Sequence, residues 1–175
     1  MKNLKLSILL ILLSIFSGCI SNEEEFDYTD DTLLEPLEGD AAADAAFAQA
    51  LQDDKADAAL SYNAVARIAH AAGVSCTGER IALAVAVARA ESAHKPDARL
   101  VNPGNGTDRG LWQINSKYHP NVSDACAYSP SCNARAMARI SNGGRKWSPW
   151  WSWKNGKHRP FMAKARAAQA AICGG

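Results

Sequence analysis

The stretch that most constrains this chain is Ile81-Ala-Leu-Ala-Val-Ala-Val-Ala-Arg-Ala90, a nearly unbroken apolar run followed at once by Glu91 and Ser92. Taken alone, the alternation of large and small side chains over residues 81–88 is a strand pattern. Three features favour helix instead. Alanine is the best helix former, the run continues through Arg89 to Ser92, and Thr77 is placed to cap a start at which Glu79 suits the positive first turn. A helix apolar on nearly all sides has to be surrounded, so the pattern predicts a central buried helix whose alanines let its neighbours approach closely. Glu91, at the end of that helix, then stands where protein displaces water. Burial disfavours the anion and raises the pKa, so Glu91 is expected to hold its proton near neutrality.

Lys95-Pro96 ends the helix, and Asn102-Pro-Gly-Asn-Gly106 is dense in turn residues. An irregular loop is expected there, followed by a short strand or hairpin through Leu111 to Asn115. Asp108 falls between the two, among Thr, Gly and Asn, with Arg109 beside it in sequence; a polar setting and a neighbouring cation favour the ionised form. Two carboxylates are thus offered from two elements, one set up as an acid and one as a base. Glycoside cleavage needs that division, one group protonating the leaving oxygen and the other stabilising or attacking the sugar cation.

Glu91-Ser92 and, after a gap, Thr107-Asp-Arg-Gly-Leu-Trp-Gln-Ile-Asn-Ser116 resemble the active-site core of the lysozyme superfamily. Animal (chicken-type) lysozymes carry a similar Glu-Ser and Thr-Asp pair of motifs, and bacterial lytic transglycosylases carry Glu-Ser followed by Gly-Leu-(Met or Trp)-Gln. The resemblance runs from about Ile81 to Ala168 and is strongest in the second motif. It implies an α+β fold, mainly α-helical, with a buried central helix and a small β-hairpin flanking a glycan cleft. It also implies Glu91 and Asp108 as the catalytic carboxylates, with Ser92, Trp112, Gln113, Asn115, Trp151 and Trp153 binding substrate. For Gln113 and Asn115 a second reading stands beside that one: polar groups that satisfy the backbone of a buried turn. No cofactor and no metal are expected. The two-carboxylate mechanism is the family's known chemistry and comes with the resemblance.

The amino terminus adds a targeting signal. Lys2 and Lys5 precede an apolar run from Leu6 to Phe16, and Ser17-Gly18-Cys19 follows, the pattern of a signal peptide over residues 1–18. Phe-Ser-Gly-Cys resembles the bacterial lipobox, with Phe16 in place of the usual Leu or Val. That makes Cys19 the expected lipidation site and the cell envelope the expected location, with Ile20 pointing to the outer membrane in a cell that has one. Plain secretion is the alternative. Residues 19–57 form an acidic, alanine-rich tether, and 58–175 the catalytic domain. Residues 20–60 carry thirteen acids against Lys55 alone, a net −12, whereas residues 61–175 carry sixteen Lys and Arg against five acids, a net +11. The near-neutral total therefore conceals a dipolar chain, in which the acidic part is a solvated tether or a segment that folds back on the basic domain and competes with substrate. Ala41 to Ala59, with Asp40 as a cap, has the propensity for a helix but little apolar stripe, only Phe47 and Leu51 being large.

Of five cysteines, four remain once Cys19 is set aside, and four allow three connectivities. Cys126 and Cys132 bracket a tight loop, which favours their pairing and leaves Cys76 to join Cys173. That implies an oxidising compartment. A zinc site competes, but the closely spaced thiolate pairs that zinc prefers are absent. Further helices are expected where Val65, Ile68 and Ala72 recur before Gly73, where Ala134, Met137 and Ile140 recur with Arg135 and Arg139 outward, and after Pro160 with Phe161, Ala165, Ala168 and Ile172 on one face. Between the last two lie four tryptophans in seven residues, Trp147, Trp150, Trp151 and Trp153, more than so short a segment readily buries. At least two are expected in the core and the rest on a sugar-stacking rim. His70, His94, His119 and His158 show no ligand spacing.

The leading reading is a muramidase that hydrolyses the β-1,4 bond between N-acetylmuramic acid and N-acetylglucosamine. A lytic transglycosylase forming anhydro-muramyl ends is the alternative enzyme, and a non-catalytic peptidoglycan-binding lipoprotein the alternative of another class. Expected partners are peptidoglycan strands, the membrane through Cys19 and a proteinaceous lysozyme inhibitor. Nucleic acid is not among them, because the basic residues are scattered and export removes that ligand. Asp97 and Asp124 stand as fallback partners for Glu91.

Overall fold

A computed structural model describes residues 59–174 and, ahead of them, Ala45 and Ala48, both helical. The signal segment expected at 1–18, Cys19 and, apart from Ala45 and Ala48, the tether expected at 19–57 and most of the helix expected at 41–59 lie outside the described residues. The first element of the domain, α1 (Tyr62–Ala71), starts where the Ser61 hydroxyl accepts a hydrogen bond from the Ala64 N–H at 3.1 Å. It buries Val65 and Ile68 and stops before Gly73, whose φ of +95° glycine adopts without steric cost.

The apolar run forms α2 (Arg80–Ser92), with Ile81, Val85, Val87 and every alanine from 82 to 88 fully buried. This is the central helix that the sequence predicts. Its start differs. Thr77 lies outside the helix, and Glu79 occupies the cap position without capping, its carboxylate turned to Arg166 instead. One orphan N–H of the first turn, that of Ala82, is met by Gln169 Oε1 at 2.8 Å, so the last helix does the work of a cap. That helix, α6 (Met162–Cys173), follows a single 3-10 turn at Arg159–Phe161 and packs on both α1 and α2. Cys76–Cys173 ties its far end to the loop before α2.

After α2 the chain turns through Ala93 and His94, both at positive φ. His94 is a polar-core residue, buried between the carbonyl oxygens of Leu60 and Val85 at 3.2 and 3.0 Å. Then β1 (Arg99–Val101) pairs antiparallel with β2 (Thr107–Arg109) in the register Leu100↔Asp108. The hairpin therefore falls in the stretch expected to be irregular, and residues 102–106 are its loop. Leu111 to Asn115, expected as strand, is a chain of turns. Gly110 breaks β2 at φ +73°, and the following N–H groups bond locally, Gln113 to Gly110 O and Ile114 to Arg109 O, rather than in a ladder.

Two helices follow, α3 (Asp124–Tyr128) and α4 (Pro130–Ile140), clamped by Cys126–Cys132. With all four cysteines of the described domain in disulfides, no thiolate remains for zinc. The short α5 (Trp151–Lys154) then packs against α2. The four tryptophans of residues 147–153 divide evenly. Trp147 and Trp150 are buried, their indole N–H groups donating to Gly144 O and Trp112 O, while Trp151 and Trp153 are exposed. The described domain is thus six helices beside one two-stranded sheet, the α+β architecture expected.

Candidate active site

Glu91 lies in the last turn of α2, half-buried, at the wall of a cleft of about 800 Å³. The helix under it is alanine and valine, so little water reaches the carboxyl from that side. It accepts from the Ser152 N–H, 3.2 Å from Oε1, with the Ser152 hydroxyl close by. Ser152 is the second residue of α5, where a helix leaves its N–H groups unpaired. Burial is the largest influence on Glu91 and raises its pKa above the ordinary carboxylate value. The Ser152 hydroxyl and N–H pull the other way, Asp108 raises it further, and Lys157 lowers it. The net direction is upward, which suits an acid.

Asp108 faces the same cleft from β2. Its two oxygens accept from two side-chain amides, Asn102 Nδ2 on Oδ2 and Asn115 Nδ2 on Oδ1, each at 2.7 Å. Both oxygens are thus engaged as hydrogen-bond acceptors. The cation expected to help is elsewhere. Arg109 is buried on the other side of the strand, bonded to Asp124 at 2.7 Å and to Ile114 O at 3.3 Å, because successive strand residues point to opposite faces. Asp124 is thereby accounted for as the Arg109 partner. Asp97 is exposed, and neither lines the cleft.

The segment carrying Asp108 is fixed by one buried side chain. Asn133, on α4, accepts from the Trp112 N–H at 3.0 Å and donates to Ala127 O and Arg109 O at 2.7 and 3.2 Å. Gly110 passes so close to this anchor that a Cβ would lie 2.0 Å from Ala127 O.

Of the expected substrate contacts, Gln113, Asn115 and Trp151 line the cleft. For two of these the backbone-satisfying reading also holds. Gln113 donates to Ala98 O and Gly110 O at 3.0 and 2.9 Å, locking a turn in which it has φ +48°. Asn115 orients Asp108 while its own oxygen accepts from the Lys117 N–H at 2.8 Å.

Three of the expected contacts do not line the cleft. Trp112 is fully buried, its indole N–H donating to Ala84 O at 2.9 Å, so it is a core plug beneath the cleft. Ser92 is buried and returns its hydroxyl to Ala88 O one helical turn back. Trp153 is exposed but stacks on His158 off the cleft wall, since two residues along a helix face opposite ways and Trp151 takes the cleft side. The cleft in turn recruits Asn102, Tyr118, His119 and Lys154. Of these, only Asn102 stood out in the sequence, as a turn residue. Among the described residues no three His, Cys, Asp or Glu side chains gather as a metal site.

Comparison with known proteins places this geometry. The family model described as a lysozyme like domain matches residues 66–152, a span that contains Glu91, the hairpin with Asp108, Asn133 and the Ser152 donor. No curated protein and no solved structure matches the chain.

Proposed function

Because the chain belongs, over residues 66–152, to the lysozyme-like family, a family generally of glycosidases and lytic transglycosylases acting on peptidoglycan, we propose that it is a muramidase. The observation that carries this reading is the pair of carboxylates on one cleft in opposite settings: Glu91 driven toward its protonated form by burial, Asp108 solvated by two amides. Glu91 donates its proton to the oxygen between N-acetylmuramic acid and N-acetylglucosamine as the C1–O bond breaks. Asp108 meets the positive charge that develops on the sugar, as an ion or by bonding to C1. A water then adds to C1, and the Glu91 carboxylate takes back a proton from it.

Digestion of purified peptidoglycan followed by mass spectrometry tests the reading. Fragments carrying an added water at the reducing end are expected. Fragments lighter by one water would mean anhydro-muramyl ends and a transglycosylase, and wall binding without release would mean a non-catalytic module.

The reading extends to location. Cys19 is the acylated residue of an envelope lipoprotein, with residues 19–57 as the tether. Support comes from the apolar run ending in Ser-Gly-Cys and from the disulfide-bonded domain, which suits an oxidising compartment. Incorporation of a labelled fatty acid that persists in Cys19→Ala would overturn it.

A further inference from the structure

The walls of the cleft differ in chemistry. On the hairpin side, Asp108 is enclosed by the Asn102 and Asn115 amides, and the nearby Lys117 ammonium is already engaged, donating to Gly104 O at 3.0 Å and Asn105 Oδ1 at 3.3 Å. On the α5 side stand Trp151 and Lys154. Three residues apart on one helix, they share a face. Trp151 is 69 % exposed, an indole held by nothing in the core. Among the described residues, the Lys154 ammonium has no carboxylate and no hydrogen-bond acceptor. Nor does it serve the acid: the cation that acts on Glu91 is Lys157. Lys154 is therefore a cation that lines the cleft and that neither folding nor proton transfer uses.

A flat aromatic with an ammonium one helical turn away fits a sugar ring that carries an anion. In a glycan of alternating N-acetylglucosamine and N-acetylmuramic acid, every second sugar bears a lactyl ether whose carboxyl is free or continues into a peptide bearing carboxylates. A neutral β-1,4 chain of N-acetylglucosamine has neither. Resting on the muramidase reading, we propose that Lys154, beside the Trp151 platform, pairs with a carboxylate of the muramyl unit and makes the cleft selective for acidic over neutral β-1,4 glycan.

The test separates binding from cleavage. In full-length protein carrying Glu91→Gln, so that the ligand survives, titration calorimetry compares three hexasaccharides: the alternating glycan stripped of peptide, the same glycan bearing its peptides, and neutral N-acetylglucosamine hexamer. The acidic chains are expected to bind more tightly, and adding Lys154→Gln is expected to erase about two- to fivefold of that preference, the range of an exposed ion pair. Raising the salt should shrink it in parallel. A preference shown by the stripped glycan assigns the carboxylate to the lactyl group; one confined to the peptide-bearing glycan assigns it to the peptide. Equal binding of acidic and neutral chains, or a preference that survives Lys154→Gln intact, overturns the proposal. Preferential binding with no cleavage by the unaltered protein would leave the proposal standing and sink the muramidase reading alone.

Discussion

Glu91 and Asp108 are similar carboxylates on one cleft, but the chain builds their surroundings in unlike ways. Glu91 takes its character from a mass of small apolar groups along α2 and from one main-chain N–H of α5. No single side chain is responsible for it. Asp108 takes its character from three named side chains, Asn102 and Asn115 on its oxygens and Asn133 holding the segment it stands on. One environment is distributed and the other discrete. Substitutions around Glu91 should therefore act on the group itself, while those around Asp108 should act through its neighbours.

The largest effect is expected from Glu91→Gln. Removing a general acid typically costs 10²–10⁴ in rate, and activity on peptidoglycan should fall by about that much while the fold persists, because glutamine can still accept from Ser152. Stability supplies the second readout. The folded pKa of Glu91 is raised, so below the ordinary carboxylate range both folded and unfolded states are protonated and nothing is lost. As pH rises through the ordinary value toward the raised folded one, the unfolded chain ionises first, and stability declines until the folded pKa is passed. The same proton loss should define the alkaline limb of activity. Melting temperature against pH should show this decline in the natural protein and lack it in Glu91→Gln; parallel curves would mean that burial does not set the group.

Asp108→Asn should come next. For a hydrolase it is severe, about 10²-fold or more if the charge stabilises the transition state, whereas a transglycosylase would tolerate it. The new amide also turns one NH2 toward a donor that had a carboxylate oxygen, which should loosen the hairpin by about 1–3 kcal/mol. Asn133→Ala reaches the same carboxylate from behind. It leaves the Trp112 N–H and Ala127 O buried without the Asn133 amide, while Arg109 O keeps the Ile114 N–H, with an expected cost of about 2–4 kcal/mol. In hydrogen exchange, the loss should concentrate in residues 107–115 and spare α2. Uniform deprotection would show that the two environments are not separately built.

Much of the helical lobe could be read from the chain, because its signals are local. The alanine–valine run, Gly73 and the Cys126–Cys132 spacing each act within a few residues, and α1, α2 and that disulfide follow from them; Cys76–Cys173, 97 residues apart, follows only because two cysteines remain. The place of the hairpin is less legible, because the segment that ends it depends on Gly110 and Asn133, which meet only after the 22 residues between them have folded. Adjacency in sequence points Arg109 toward Asp108, but the alternation of a strand turns it to Asp124 on the other face. Trp112 illustrates the same limit: a large aromatic beside a catalytic motif has the composition of a sugar contact, and only packing shows that its indole N–H is satisfied inside the core.

The smallest effects should come from the cleft rim, where the two environments can be compared with neither acid touched. Trp151, on the α5 wall, and Tyr118, on the Asp108 wall, are 69 % and 60 % exposed, so truncating either costs the fold little. An aromatic platform that holds substrate equally in ground and transition states alters KM and leaves kcat nearly constant. Trp151→Ala should therefore raise KM about three- to tenfold, the scale of one aromatic contact, with Tyr118→Ala at or below the lower end because its ring is smaller. Tyr118 differs in one respect: its N–H lies 3.4 Å from the Asn115 oxygen, on the residue that orients Asp108. A kcat loss in Tyr118→Ala but not in Trp151→Ala would show the discrete environment transmitting a rim change to its carboxylate. Equal KM effects with kcat untouched would show that Asn115 isolates Asp108 as well as the buried helix isolates Glu91.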